Sequence, residues 1–131
     1  MILNVEGVTK TFHQGALQVE ALKGVSFNLK EGESLSITGP SGSGKSTLLS
    51  LLSGLDKPSQ GSIDIDGTKV HKMSEKELSQ FRSQKIGIVF QQFHLMPHLT
   101  ALENVSLPLE IFLKSSAAEE AKNILSQVGL E

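Results

Sequence analysis

Residues Gly39-Pro40-Ser41-Gly42-Ser43-Gly44-Lys45-Ser46 keep the spacing glycine, four free positions, glycine, lysine, serine, directly after the apolar Leu35 and Ile37. Gly42 and Gly44 permit backbone angles closed to other residues, so successive N–H groups can turn inward toward phosphate oxygens with no side chain in the way. A helix predicted from Lys45 to Ser53 aims its unpaired N–H groups and positive dipole end at the same point. The spacing thus predicts a phosphate loop in which Lys45 reaches the β- and γ-phosphates and the Ser46 hydroxyl binds Mg²⁺. Read without chemistry, the same residues are only a glycine-rich turn.

The flanking pattern predicts an α/β fold. Ile2, Leu3 and Val5 open an apolar segment, and Val25, Phe27 and Leu29 alternate with Ser26, Asn28 and Lys30, so the N-terminal third reads as antiparallel sheet. Glu31-Gly32-Glu33 supplies a turn into a strand at Leu35 and Ile37. Leu48, Leu49, Leu51 and Leu52 mark a buried helix that ends at a left-handed Gly54, with Pro58 beyond it. Gly61 to Gly67 predicts a strand closed by an Asp-Gly turn and rejoining the early sheet. Ser74 with Glu77, Thr100 with Glu103 and Ser116 with Glu119 have capping-box spacing before three helices, the second broken at Pro108. Leu78 and Phe81 give the first of these an apolar side, and Ala121, Ile124, Leu125 and Val128 do so for the last. The continuous run Ile86, Ile88, Val89, Phe90 predicts a strand covered on both faces, ending at Gln91.

Composition removes whole classes. Twelve Lys plus Arg against fourteen Asp plus Glu give a net charge of -2, too balanced for counterion-driven binding to nucleic acid or anionic lipid. The chain contains no cysteine, which excludes disulfides, thiolate metal sites and cysteine nucleophiles and fits a cytosolic chain. No stretch approaches the roughly 18 apolar residues that cross a bilayer, so a membrane role must come through partners.

Five segments follow one another along the chain: Val8-Thr9-Lys10-Thr11-Phe12, Leu22-Lys23-Gly24-Val25-Ser26-Phe27, the phosphate loop running on through Thr47, Leu48 and Leu49, Ile88-Val89-Phe90-Gln91-Gln92-Phe93, and Leu99-Thr100-Ala101-Leu102-Glu103-Asn104-Val105. In that order the sequence resembles the ATP-binding subunits of ABC transporters. The first segment resembles the family's adenine-stacking stretch and the second the strand after it; the fourth resembles the entry to the glutamine loop and the fifth the stretch beyond. Val89 to Pro97, with Glu103-Asn104-Val105-Ser106-Leu107-Pro108-Leu109, is most similar to the lipoprotein-release and macrolide-export branch.

The resemblance implies a P-loop NTPase, RecA-like core with an N-terminal antiparallel β subdomain. It implies a partial nucleotide-binding domain over 1–131: a strand-rich part joined by 61–70, the phosphate loop and helix at 39–54, and the glutamine loop with its helices at 85–131. The expected chain is truncated before the signature segment and the Asp-Glu strand. The implied cofactors are ATP and Mg²⁺, held by Phe12, Gly39, Pro40, Ser41, Gly42, Ser43, Gly44, Lys45, Ser46 and Thr47, with Ser46 and Gln91 at the metal and Lys45 and Gln91 catalytic. The implied partners are a membrane permease and a second ATP-binding subunit, a homodimer in the full-length form, with no nucleic acid. The implied place is the cytoplasmic face of the membrane, peripheral through the permease. ATP hydrolysis by the full dimer would drive export or extraction of a substrate, while the 131-residue chain alone is expected to be inactive. A nucleotide-binding fragment without hydrolysis, or a soluble ABC protein of translation or DNA repair, stays open.

Single residues keep two readings. Phe12 stands where the family more often has tyrosine, and is either a stacking ring or a core phenylalanine. Gln91 is either the family's sensing glutamine or the polar end of a strand. His71, His94 and His98 lack ligand spacing and are expected at the surface. Glu103 belongs to a cap, Glu110 lies past Pro108, and Asp64 and Asp66 are expected on a solvated face.

Overall fold

The alternating N-terminal residues form strand β1 (Leu3–Gln14), and a hairpin turn leads into β2 (Leu17–Leu29). The computed structural model describes residues 1–113 and 115–130; Lys114 and Glu131, the latter closing the expected 85–131 region, lie outside the described residues. The chain divides into two units, Met1–Gly87 and Ile88–Glu131.

In the first unit β3 (Gln60–Ile65) pairs antiparallel with the free side of β1, and β4 (Thr68–Lys69) follows it, so the sheet order is β2-β1-β3-β4. Asp66 and Gly67 both have positive φ, 49° and 73°, between paired Ile65 and Thr68, which makes them the expected two-residue hairpin turn. Left-handed Gly7 sits at a bulge in β1, where the register with β2 shifts between Val5 and Val8. The extra residue lets two valines three apart both enter the core. Gly61 approaches this bulge so closely that a Cβ would lie 2.5 Å from the Gly7 carbonyl oxygen.

Helix α1 (Lys45–Leu52) buries Leu48 and Leu51 against Val5, Val8, Leu22 and Ile63. Wholly buried Leu51 contributes about 1.5–3 kcal/mol of apolar transfer and fixes the roll of the helix. Left-handed Gly54 ends α1 as expected, but Leu49 is exposed, because an eight-residue helix with one buried side turns it to solvent. Helix α2 (Glu75–Lys85) follows a single 3₁₀ turn at Val70–Lys72. Its Ser74–Glu77 capping box is complete, and Leu78 and Phe81 join the core. The hydrogen bonds from the Ser74 hydroxyl and backbone N–H hold the Glu77 carboxyl below its usual range. Arg82 reaches back from α2 and donates to the Gly54 carbonyl at 2.6 Å, bringing positive charge to the C-terminal end of α1.

In the second unit α3 (Ala101–Leu113) packs on α4 (Ala117–Gln127), with Ser106, Ala117 and Ala121 buried. Thr100 and Glu103 form their capping box: the Thr100 N–H and hydroxyl donate to Glu103 Oε2 at 2.7 and 2.9 Å, and the Glu103 N–H returns to Thr100 Oγ1 at 3.2 Å.

Several expectations are corrected. Helix α3 runs through Pro108 without a break. The proline removes the N–H that would reach Asn104, while packing on α4 holds the turns on either side of it. Ser116 makes no side-chain cap, since its φ of -127° and ψ of 16° depart from the extended backbone a capping residue uses. Ile124 and Val128 are exposed, and the buried residues of α4 are instead the small Ala117 and Ala121. Neither Leu35–Ile37 nor Ile86–Phe90 is a strand: among the described residues neither is paired into the sheet, and Val89 is fully exposed. The expected Ile86–Phe90 strand straddles the division between the units.

Candidate functional site

The loop from Gly39 to Gly44 leads into α1 through a residue that only glycine can be. Gly44 has φ 94°, and a Cβ there would lie 2.5 Å from the Ala21 carbonyl oxygen and 2.9 Å from Leu22 Cδ2. The loop is therefore pressed onto the outer edge of β2. Gly42 also needs its positive φ of 77°, in open space. At Gly39 the obstacle is a side chain: a Cβ there would meet Ser43 Oγ at 2.7 Å. The Ser43 N–H closes a turn onto the Pro40 carbonyl at 3.2 Å.

Electrostatics single out this helix start. Gly44 offers no side-chain acceptor to α1, and its first turn holds no acidic residue. By contrast α2 starts with Glu75 and Glu77, α3 with Glu103, and α4 with Glu119 and Glu120. The N–H groups of Lys45, Ser46 and Thr47 thus begin a helix whose positive end no carboxylate neutralises. Lys45 adds a full charge there, its Nζ donating to the Gly39 and Pro40 carbonyls at 2.7 Å each and to Ser43 Oγ at 3.3 Å. Ser41 and Ser46 are exposed and Thr47 half-buried. Such a loop can hold a polyanion through backbone donors and one ammonium.

Phe12 is 45% exposed, which removes the core reading. It pairs across the hairpin with Val19, also half-exposed, and Val19 lies two residues from the Ala21 that touches Gly44. At about 3.3 Å per residue, the ring belongs to the same stretch of hairpin as the loop contact. Beside it Lys10 Nζ lies 5.2 Å from the ring centroid and bonds Asp56 Oδ1 at 2.7 Å and the Lys57 carbonyl at 2.8 Å. Partial burial pushes the Asp56 carboxyl up, but the bonds from Lys10 and the Lys57 N–H, with the Lys10 charge, outweigh it and leave it below its usual value. No local spacing announces this pair, 46 residues apart; the one hint is that Lys10 and Phe12 stand two apart on a strand.

Gln91 and Gln92 are exposed in the second unit, at a bend after Phe90. The Phe90 and His94 rings lie 4.7 Å apart, and His94 has a positive φ of 52°. Glu103 serves its cap and Glu110 is exposed. His71 differs from the surface position expected: its side chain is mostly buried, with Nδ1 3.1 Å from both the N and O of Ile63, because the 3₁₀ turn folds it over β3. Asp66 is solvated and paired with Lys85 at 2.9 Å, whereas Asp64 turns a buried Oδ1 toward His71 Nδ1, 3.8 Å away. Among the described residues no group of three or more His, Asp or Glu could hold a metal, and no helix is long and apolar enough to cross a membrane.

A family model described as ABC transporter matches residues 22–131. The chain is 47% identical over 133 residues to a lipoprotein-releasing system ATP-binding protein, LolD, of Legionella pneumophila, covering 100% of this chain and 59% of that one. It is 42% identical to a macrolide export ATP-binding/permease protein, MacB, of Bdellovibrio bacteriovorus, over 98% of this chain and 20% of that one. Its fold matches the dimeric, ADP- and Pi-bound structure of the ATP-binding cassette MJ0796 with TM-score 0.86 and 46% identity, over 98% of this chain and 58% of that one. The chain thus spans less than two thirds of the length of these relatives.

Proposed function

Since the chain belongs to the ABC transporter family, we propose that it binds Mg-ATP as the nucleotide-binding part of a transport ATPase. The observation that carries this reading is the start of α1: a left-handed Gly44 pressed onto β2, a first turn free of acidic residues, and Lys45 held over its own loop. These residues fit a nucleotide's phosphates, because the start of α1 carries no acidic residue and the Lys45 ammonium sits over the same loop. The loop from Gly39 through Pro40, Ser41, Gly42 and Ser43 wraps the phosphates. Lys45 leaves its loop carbonyls for the β- and γ-phosphates, and Ser46 and Thr47 continue the binding turn. The half-exposed Phe12 ring takes the adenine face, without the hydroxyl a tyrosine would add.

Mg²⁺, when bound, would neutralise charge developing on the phosphate oxygens, with the Ser46 hydroxyl as a protein donor. The Gln91 amide, exposed at its bend, keeps the sensing role that the family resemblance implies. The same proposal includes ATP hydrolysis, a homodimer with a second ATP-binding subunit, and a permease that keeps the protein at the inner face of the membrane. The names of LolD and MacB and the dimeric MJ0796 cassette support these partners and a role in export or extraction.

Titration calorimetry with Mg-ATP tests the reading on the wild-type chain and Lys45→Ala. Loss of one charge-assisted contact of about 1.5–3 kcal/mol is expected to weaken binding roughly 10- to 150-fold, with an unchanged circular dichroism spectrum. Equal affinity in the two proteins would remove the phosphate loop from the account.

A further inference from the structure

Outside the phosphate loop, Lys10 is a closely held charge in the first unit. Its side chain is only 13% exposed, and its ammonium is fixed by Asp56 Oδ1 and the Lys57 carbonyl. Asp56 is itself held, accepting the Lys57 N–H at 2.7 Å, while the Leu55 and Asp56 N–H groups both donate to the Ser50 carbonyl of α1. The same connection is laced to β1 a second time, through Ser59 N–H to the Thr9 carbonyl and Thr11 N–H to Ser59 Oγ. The ammonium is thus tied to the end of the phosphate-loop helix, and it lies within the roughly 6 Å at which a cation is held by an aromatic ring.

We propose that Lys10, braced by Asp56, is a positioning residue for base recognition: it occupies and polarises one side of the Phe12 ring and leaves the other for the purine. This rests on the reading of Phe12 as the adenine platform. An ordinary exposed phenylalanine on a hairpin samples several rotamers, and a base stacking on it must first select one. A buried cation against the ring restricts that choice before the base arrives. It also draws π density toward itself, so the open face becomes a better partner for an electron-rich purine. Because Phe12 has no hydroxyl to hydrogen-bond a base edge, stacking alone discriminates, and the state of the ring matters more.

The test compares binding of Mg-ATP and of Mg-tripolyphosphate, which shares the phosphates but has no base, by calorimetry on the full chain. Lys10→Met is expected to weaken Mg-ATP about threefold to tenfold and leave tripolyphosphate unchanged. Lys10→Arg, which keeps a cation for both ring and carboxylate, restores most of the loss, and Asp56→Asn loses part of it. In a Phe12→Leu background, Lys10→Met is expected to have no further effect on the ratio of the two affinities. An equal fall for both ligands, or no change in either, refutes a role in base recognition. If Phe12→Leu itself leaves the ratio unchanged, the adenine platform is wrong and the proposal falls with it. If the ratio responds to Phe12→Leu but not to Lys10→Met, only the proposal falls. Should Lys10→Met fail to fold, Asp56→Asn decides: a lowered ratio supports the proposal and an unchanged one overturns it.

Discussion

Gly44→Ala is the sharpest perturbation of the site. An alanine held at φ 94° costs about 1–2 kcal/mol in backbone conformation. Its Cβ would stand 2.5 Å from the Ala21 carbonyl oxygen, about 0.9 Å short of ordinary contact at 3.4 Å. Ala21 is the extra residue at a register shift, and the pairing of its neighbours Glu20 and Leu22 with Thr11 and Lys10 of β1 limits how far that carbonyl can move. Relieving the overlap by moving the hairpin or α1 adds about 1–3 kcal/mol, the range for overpacking, for a total of about 2–5 kcal/mol. Gly42→Ala is the control: φ is 77° but nothing lies within 4 Å of its Cβ, so only the conformational part, about 1–2 kcal/mol, applies. Urea unfolding followed by far-ultraviolet circular dichroism reads the difference; the chain has no tryptophan or tyrosine for a fluorescence probe. The Gly44→Ala midpoint is expected to fall by about 1–2 M, and the Gly42→Ala midpoint by about half as much or less. Equal shifts would refute the claim that contact with β2, and not φ alone, fixes this glycine.

Asp56 has a folded-state pKa below its unfolded value, so its contribution is complete above the unfolded value of about 3.9 and is lost as pH falls through the lower one. The stability gap between wild type and Asp56→Asn should therefore be constant from pH 7 to about 5 and close on further acidification, which thermal unfolding at stepped pH measures. Thr100→Ala removes the N-terminal cap of α3 and is expected to cost about 1 kcal/mol, seen as faster amide exchange in the first turn of that helix. Pro108→Ala restores the donor for the Asn104 carbonyl and should slow exchange along α3, with a gain of about 1–3 kcal/mol in that unit.

What is legible in the sequence is what short spacing controls. The Asp66-Gly67 turn, the Ser74 and Thr100 capping boxes and the left-handed Gly54 each depend on residues within four of one another. Leu35–Ile37 and Ile86–Phe90 mislead because an apolar run reports a preference for burial, whereas a strand also needs a neighbour to bond, which no run of residues names. Pro108 misleads because packing outweighs the lost bond. The burial of His71 is hidden from the sequence, since its cover depends on how a 3₁₀ turn folds onto β3. At the candidate site, phosphate-loop spacing is visible, while the exposure of Phe12 and the Lys10–Asp56 pair arise only when β1 meets the segment after α1.

Lys45 bonds its own loop at Gly39, Pro40 and Ser43, and this changes what kind of reaction phosphate binding is. For the ligand proposed above, binding is an exchange and not an addition: the ammonium trades two carbonyls for phosphate oxygens. The heat released is then the difference between two sets of bonds, smaller than the contacts in the product suggest. The internal occupant also keeps the carbonyls drawn together, so the cradle holds its shape while it waits. A small monovalent anion offers too little to displace two carbonyls, whereas a chain of phosphates, met at once by the backbone donors, can. On the proposed reading, the loop's own bonds would favour a chain of phosphates over the chloride of the surrounding solution.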